Sequence, residues 1–495
     1  MTIRELIKNL QCEKISGSAS SAVTGVEMST ASVRRGSCFI CIKGFKTDGH
    51  IFAEEAVSKG AVCVVMQDGT FFDALEKAHR RKIANGNLTL VLTHSTRTAA
   101  AVLSDAFWGH PSGELGLIGV TGTKGKTTTS LMIKNILEHA GHKSGLVGTM
   151  YNMVGDEIVP TDRTTPEANV LQPLLRRMVR EGCEKCVMEV SSQGLKLDRV
   201  GRCEYTLGVF TNLTPDHIGA TEHPDMEDYA ASKAKLFKMC EKGLFNADSP
   251  WFERIKRDAT CRIFTYSVEK QADFMAKNIK YSGGGVEYDL YGMCPETHVT
   301  VSVPGKFSVY NSMAAAAACI LEGVKPETAA EGLKGVVVKG KAETVPTGRD
   351  FTVMIDYAHN PDSFINIIDA VRPFAKRVVF LFGAGGDRNR PRALMGETAA
   401  THADFTIITS DNPRTEDPAK IVADIEVGAK KTGRDYVCIV DRREAIWYAI
   451  RNAKPGDVII LAGKGHETTQ IFKDRTVEFD ERKVAAEALK AIYGD

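Results

Sequence analysis

No run of about eighteen apolar residues, the length a bilayer-spanning helix needs, occurs in this chain of 495 residues. The longest apolar run, MAAAAACIL from Met313, is half that length and rich in alanine, so membrane insertion is not expected. An excess of one charge is missing as well: 63 Lys and Arg stand against 62 Asp and Glu, a formal net charge of +1. That balance excludes a generic basic nucleic-acid binder and a polybasic membrane surface. The opening residues MTIRELIKNLQCEK carry charges where a signal peptide needs its apolar core, so a cytoplasmic location is expected. The twelve cysteines lack the spacing of a disulfide or zinc framework. Two CxxC pairs exist, Cys38/Cys41 and Cys183/Cys186, in or beside strand-like runs where residues three apart point to opposite sheet faces.

What is present is an ordinary core-forming composition, 43% hydrophobic and 25% charged, with a length that suggests about three domains. Short apolar runs alternate with helical patterns almost throughout, which predicts α/β layers around mostly parallel sheets. Residues 1–112 read as a small mixed α/β module with FICIKG, HIFAEEAVSKGA, AVCVVM and LTLVLTH, closed by the turn-rich WGHPSGELG. Residues 113–344 begin with the strand LIGV, the loop TGTKGKTTT and the amphipathic SLMIKNILEHAG. Two later strands, CVMEVSS and TLGVFTNLT, end in polar residues, and such strand ends form the ligand crevice of a parallel sheet. YSGGGVEYDLYG predicts a glycine-turned hairpin. Residues 345–495 repeat the α/β theme with RVVFLFGAGG, DFTIITSD, YVCIV and DVIILAGKG.

Strand, TGTKGKTTT, helix is the strongest chemical signal. Gly122 and Gly125 let successive N–H groups face a phosphate, and the following helix adds its positive end. Lys126 would reach the β- and γ-phosphates and the Thr127 hydroxyl would ligate Mg²⁺, with Thr123, Lys124 and Thr128 lining the loop. The strict P-loop pattern fails at one place, because Val120 stands where its first glycine belongs. Glu189 ends the strand CVMEV and His217 follows FTNLT, so both belong to the crevice this loop faces. Taken singly, either would read as a solvated or core side chain.

TGTKGKTTT after a hydrophobic strand resembles the Mur ligase family, and the resemblance runs nearly the whole chain. MEVSSQGLKLDRV, FTNLTPDHIGATEHPDMEDYAASKAKLF, KFSVYNSMAAA, DYAHNPDS, FGAGGDRNRPRALMG, TSDNPRTEDP and LAGKGHETTQIF match in order. GSCFICIKGFKTDGHIFAEEAVSKGA is similar to the uridine-nucleotide module of the tripeptide-forming member. The resemblance implies a UDP-sugar-binding first domain, a central P-loop ATPase domain and a C-terminal Rossmann-like domain that binds the amino acid. It implies an ATP-dependent ligase of peptidoglycan precursor synthesis, acting as a monomer on UDP-N-acetylmuramoyl-L-alanyl-D-glutamate through an acyl-phosphate. By the same resemblance Glu189, Thr127 and His217 bind magnesium, and Lys233 carries a carbamate made with carbon dioxide. Lys235 lies about 200° round a helix from Lys233, so only one of the pair can face the site. Asn311, Asp356 and His359 are expected at the nucleotide. Thr30, Thr164, Thr165, Ser191 and Arg199 are expected at the UDP-muramoyl-dipeptide. The family's pattern is broken at Ser29-Thr30-Ala31, where Asp-Ser-Arg is usual, at Leu197 for a glutamine, and at Lys341 for an arginine.

Arg388, Asp411, Asn412, Arg414, Gly463 and Glu467 form the combination the family associates with meso-diaminopimelate. That acceptor has a second ammonium–carboxylate head. Arg388 and Arg414 would take its distal carboxylate, and Asn412 with Glu467 its ammonium. A turn reading of Asp-Asn-Pro-Arg explains the Asp and Pro but not the Arg. Lys124, Gln193 and DHIGATEHPD instead resemble the branch that adds L-lysine, which stays open as the alternative acceptor. A non-catalytic relative that binds UDP-sugar or nucleotide, and a folylpolyglutamate-type ligase sharing the ATP core, are the remaining readings.

Overall fold

In the computed structural model, which describes residues 1–216, 218–219, 222–388 and 390–494, each strand-like run of the sequence is a strand. The chain divides into two compact units, Met1–Phe274 with Ala314–Ala329, and Met275–Met313 with Ala330–Asp495.

The first unit holds two sheets. One contains β1 (Cys12–Ser16), β2 (Gly25–Glu27), β3 (Ser37–Ile40), β4 (Cys63–Met66) and β5 (Thr89–Thr93) in the order β1-β5-β4-β3-β2. Only β1 runs antiparallel to its neighbour. Cys38 and Cys41 enter different core clusters on its two sides, as their spacing predicts. Cys183 and Cys186 do not follow that rule: Cys183 precedes its strand, and both thiols pack into one core. The other sheet contains β6 (Gly116–Thr121), β7 (Ser144–Val147), β8 (Asn152–Val154), β9 (Glu157–Val159), β10 (Lys185–Glu189), β11 (Tyr205–Phe210), β12 (Cys240–Asn246) and β13 (Arg262–Ser267). Their order is β13-β12-β11-β6-β10-β7-β8-β9. The six strands from β13 to β7 are parallel, and β8 and β9 form an antiparallel edge. Central β6 is covered on both faces, which explains its unbroken apolar run.

The helix Lys126–His139 starts from Gly125 in the left-handed conformation, φ 84°. It buries Met132, Ile133, Ile136 and Leu137, a 3.6-period stripe worth about 1.5–3 kcal/mol per fully buried side chain. Helix Lys306–Leu321 contributes to both units. Its residues Met313–Cys319 are fully buried, because alanine lets neighbouring backbones approach on every side.

The second unit carries the antiparallel β14 (Phe274–Ser282), β15 (Gly285–Gly292) and β16 (Thr297–Val301); β14 and β15 are the expected hairpin. It also carries β17 (Glu343–Val345), β18 (Phe351–Asp356), β19 (Arg377–Phe382), β20 (Phe405–Ile408), β21 (Tyr436–Cys438) and β22 (Asp457–Ala462). These lie in the order β17-β18-β22-β19-β20-β21, parallel except for β17. The fully buried Arg442 binds Glu481 at 2.7 Å and the carbonyl of Ala462 at the end of β22 at 2.7 Å. No helix among the described residues is long and apolar enough to cross a membrane.

Candidate active site

The phosphate loop lies between the end of β6 and the helix Lys126–His139. Gly122 has φ 151°, and a Cβ there would collide with the Thr211 hydroxyl at the end of β11. The loop is pinned from that strand: Thr123 N–H donates to Asn212 O at 2.9 Å and Lys124 N–H to Asn212 Oδ1 at 3.0 Å. Lys126 Nζ folds over the loop to the carbonyls of Gly122 and Thr123, at 2.9 and 3.0 Å. Thr128 is buried in the first turn.

Parallel register brings the other groups to the same end of the sheet. Glu189 closes β10 opposite Val120 of β6. Its buried carboxylate accepts from Thr127 Oγ1 at 2.9 Å, from Thr149 N–H at 2.9 Å and from Thr149 Oγ1 at 2.9 Å. Thr149 was not foreseen: nothing in its sequence context marks it, and only the end of β7 places it beside Glu189. Lys233, on the helix Met226–Ala234, is 1% exposed and donates to Gly122 O at 2.9 Å. Its Nζ also sits 4.5 Å over the Tyr229 ring, and the Tyr229 hydroxyl pairs with Thr123 Oγ1 at 3.2 Å. Burial, reinforced by the Lys126 charge, holds the Lys233 amine well below the usual lysine range. Lys235 is exposed, as the helical geometry requires. His217 lies outside the described residues. Buried His223, unforeseen, joins Asp228 Oδ2 at 2.6 Å to Ser192 Oγ at 2.9 Å.

Thr127 and Glu189 form a hard-oxygen pair suited to magnesium. No group of three His, Cys, Asp or Glu side chains that could hold a metal occurs among the described residues. Next to this pair, Thr149 Oγ1 lies 3.1 Å from Thr164 Oγ1. Thr165 Oγ1 donates to Glu189 O at 3.0 Å and receives Ser191 N–H at 3.0 Å. Buried Arg199 donates to Thr165 O at 3.1 Å. Thr30 is half-buried beside the first sheet, where its carbonyl accepts from Lys59 at 2.9 Å.

In the second unit the expected residues gather at the ends of β18, β20 and β22. Asp356 caps two backbone N–H groups, Ala342 and Ala358, each at 2.8 Å. His359 Nδ1 bonds Tyr357 O at 2.8 Å, and burial lowers its pKa. Asn412 donates to Glu467 Oε2 at 2.8 Å, and the fully buried Lys464 donates to Asn412 Oδ1 at 3.1 Å and Glu467 Oε2 at 3.3 Å. Asp411 lies 3.6 Å from Lys464, and a Cβ on Gly463 would stand 3.0 Å from its carboxylate. Arg414 holds φ 54° and donates its N–H to Ile471 O at 3.0 Å. Arg388 is exposed, and half-buried Arg390 reaches the His359 carbonyl. Tyr357 is the unforeseen centre: Lys341 lies 5.0 Å over its ring, and His359 and His466 pack at 4.9 and 5.3 Å. Asn311 is buried in the helix Lys306–Leu321.

Three family models match: "Mur ligase family, catalytic domain" over residues 22–108, "Mur ligase middle domain" over 120–319, and "Mur ligase, glutamate ligase domain" over 340–465. The UDP-N-acetylmuramoyl-L-alanyl-D-glutamate–2,6-diaminopimelate ligase of Caldanaerobacter subterraneus subsp. tengcongensis is 45% identical over 492 residues, 99% of each chain. The ligase of the same name from Geobacillus thermodenitrificans is 43% identical, covering 94% of this chain and 95% of its own. A solved structure of a ligase of that name superposes with TM-score 0.74 at 27% identity over all of both chains. Mycobacterium tuberculosis folylpolyglutamate synthase, at 16% identity and TM-score 0.59 over 81% of this chain and 95% of its own, shares the fold. The chain belongs to the Mur ligase family.

Proposed function

We propose that the chain is the ATP-dependent ligase that adds meso-diaminopimelate to UDP-N-acetylmuramoyl-L-alanyl-D-glutamate in peptidoglycan precursor synthesis. The observation that carries this reading is the meeting of the phosphate loop, Glu189 and buried Lys233 at one end of a parallel sheet, in a chain matched end to end by ligases of that name. Those names support diaminopimelate over L-lysine.

In this reading the D-glutamyl side-chain carboxylate attacks the γ-phosphorus of ATP, and ADP leaves. The free amine of diaminopimelate then attacks the acyl carbon. The tetrahedral intermediate expels phosphate, and the nitrogen gives up its proton. No side-chain nucleophile is required, so the protein contributes positioning and charge stabilisation. Gly122, Thr123, Lys124, Gly125 and Thr128 cradle the phosphates, and Lys126 leaves its loop carbonyls for the transferred phosphoryl group. Asn311, Asp356 and His359 bind the remainder of the nucleotide. Thr127 and Glu189 would hold magnesium, and His217 is assigned to a second ion by resemblance alone. Magnesium, when bound, offsets the charge of two anions that must approach each other. Burial pushes the Lys233 pKa down, which favours the neutral amine that adds carbon dioxide to give a carbamate and release one proton. The product supplies the oxygen anion that an ammonium cannot.

Thr30, Thr164, Thr165, Ser191 and Arg199 bind the UDP-linked substrate. Arg388 and Arg414 take the distal carboxylate of the acceptor, Asn412 and Glu467 its distal ammonium, and Asp411 and Gly463 shape the pocket. Domain boundaries near residues 112 and 344, a monomer and a cytoplasmic location complete the proposal. Phosphate release with ATP, Mg²⁺, bicarbonate and the UDP-dipeptide is expected with meso-diaminopimelate and not with L-lysine. Turnover with lysine alone would overturn the roles of Arg388 and Arg414. No turnover with any acceptor would favour the non-catalytic reading.

A further inference from the structure

Three arginines distant in sequence converge on one carboxylate in the first unit. Arg163 Nη1 donates to Glu167 Oε1 at 2.7 Å, Arg199 Nε lies 3.0 Å from the same oxygen, and Arg97 Nη1 lies 3.9 Å from Oε2. Arg199 is 8% exposed, and its Nε, although close, is too badly angled to make a hydrogen bond. Burial, with the like charges of Arg163 and Arg97, draws its pKa down against the pull of Glu167. The carboxylate of Asp162 touches Arg163 from the solvent side, 3.6 Å away and 86% exposed, and offsets little. Asp198 shares the same narrow cleft, but its Oδ2 is taken by Thr98 Oγ1 at 2.8 Å. Arg97 and Arg199 line the cleft against Glu167 and Asp198, and Arg163 reaches Glu167 from beside it, so neutralising Glu167 would leave the arginines in excess.

Among the described residues, the ion pairs of Glu167 are with these three arginines. Glu167 is the N-cap residue of the helix Ala168–Arg180, yet it makes no side-chain cap hydrogen bond. Turning away from the arginines would therefore cost the helix no bond. Its neighbours Thr164, Thr165 and Arg199 are the residues read above as substrate-binding, and the present inference rests on that reading.

We infer that Glu167 is a placeholder anion: it holds Arg97, Arg163 and Arg199 in the unliganded protein and yields them to an oxyanion of the UDP-linked substrate. The diphosphate and the D-glutamyl carboxylates of that substrate share this chemistry, and each suits the bidentate fork of an arginine. The contact is then a competitor built into the site. Removing its charge should tighten binding, whereas removing an ordinary ion-pair partner should weaken it.

The test is calorimetric titration of the full chain and of Glu167→Gln with UDP, with UDP-N-acetylmuramoyl-L-alanyl-D-glutamate, and with ADP as control. Glu167→Gln is expected to bind the UDP-dipeptide about tenfold more tightly, with a matching fall in its KM and no change for ADP. Arg97→Gln is expected to bind it about tenfold more weakly. Tightening for UDP itself would assign the displaced contact to the diphosphate. Tightening for the dipeptide substrate alone would assign it to a carboxylate; both outcomes support the inference. Should Glu167→Gln fail to fold, Glu167→Asp, with a retracted carboxylate, is expected to show a smaller tightening. Equal or weaker binding by a folded Glu167 variant would overturn the inference and leave Glu167 as a strut. Wild-type protein that binds ADP but neither UDP ligand would overturn the substrate-binding reading itself, and the placeholder with it.

Discussion

Lys233 shows how far one side chain's chemistry depends on what surrounds it. In water its amine would be an ammonium, unable to add carbon dioxide. Buried over Tyr229 and facing Lys126 across the Gly122 carbonyl, it has its pKa pushed well below the usual lysine range by burial and by the Lys126 charge. Lys233→Ala is expected to lower kcat by about 10²–10³, the usual weight of one electrostatic group at such a site. Short carboxylic acids added to the assay should restore part of the activity by supplying the missing oxygen anion. If none does so in a variant that still binds ATP, the carbamate assignment is wrong. The resemblance singled out Lys233, and helical spacing said that only one of Lys233 and Lys235 can face inward. Neither indicated that the inward one would be stripped of water, because that depends on packing from several elements at once.

At the scale of elements, Glu322 fastens the helix Lys306–Leu321 to the opposite end of the parallel sheet. Its Oε2 accepts from Lys185 at the start of β10 at 2.8 Å and from Thr206 in β11 at 3.2 Å, and its Oε1 from Lys242 in β12 at 2.9 Å. Burial by itself would push this carboxyl up. The hydrogen bonds and charges of the two lysines more than offset it, and the pKa lies below the usual 4.5. The folded protein therefore binds the proton less readily than the unfolded chain. This stabilisation is present above pH 4.5 and is lost as pH falls through the lowered folded value. Glu322→Ala should cost about 1–3 kcal/mol at neutral pH, discounted because both lysines are partly exposed. Its denaturant midpoint should also fall less steeply than wild type below pH 4.5. Parallel slopes would show that the pin carries no proton linkage. The elements themselves were legible from period and turn chemistry, but this pin was not. Lys185, Lys242 and Glu322 are ordinary charges in sequence, and only register and helix placement bring them together.

The molecule as a whole is two compact units, the first with several core clusters and the second with its own. Units built this way unfold with partial independence. Scanning calorimetry is expected to give a calorimetric enthalpy larger than the van't Hoff enthalpy, or two resolved peaks. A single transition with equal enthalpies would show that the units melt as one. The residues to which the proposal assigns ligands are divided in the same way: residues 122–128, Glu189 and Lys233 in the first unit, and Asp411, Arg414 and Glu467 in the second.

The sequence alone determined the α/β architecture and the phosphate loop, because both are written in contiguous residues. A strand, two glycines that accept positive φ, and a helix start need no distant partner to be recognised. The motif order did the same for family membership. Tertiary structure decided what those residues face. It put Thr149 against Glu189, gathered Lys341, His359 and His466 round Tyr357, and closed Arg97, Arg163 and Arg199 on Glu167. Apart from Tyr357–His359 and Arg163–Glu167, which are local, these contacts join positions from sixteen to more than a hundred residues apart. Sheet register and burial select them, and no local pattern records either.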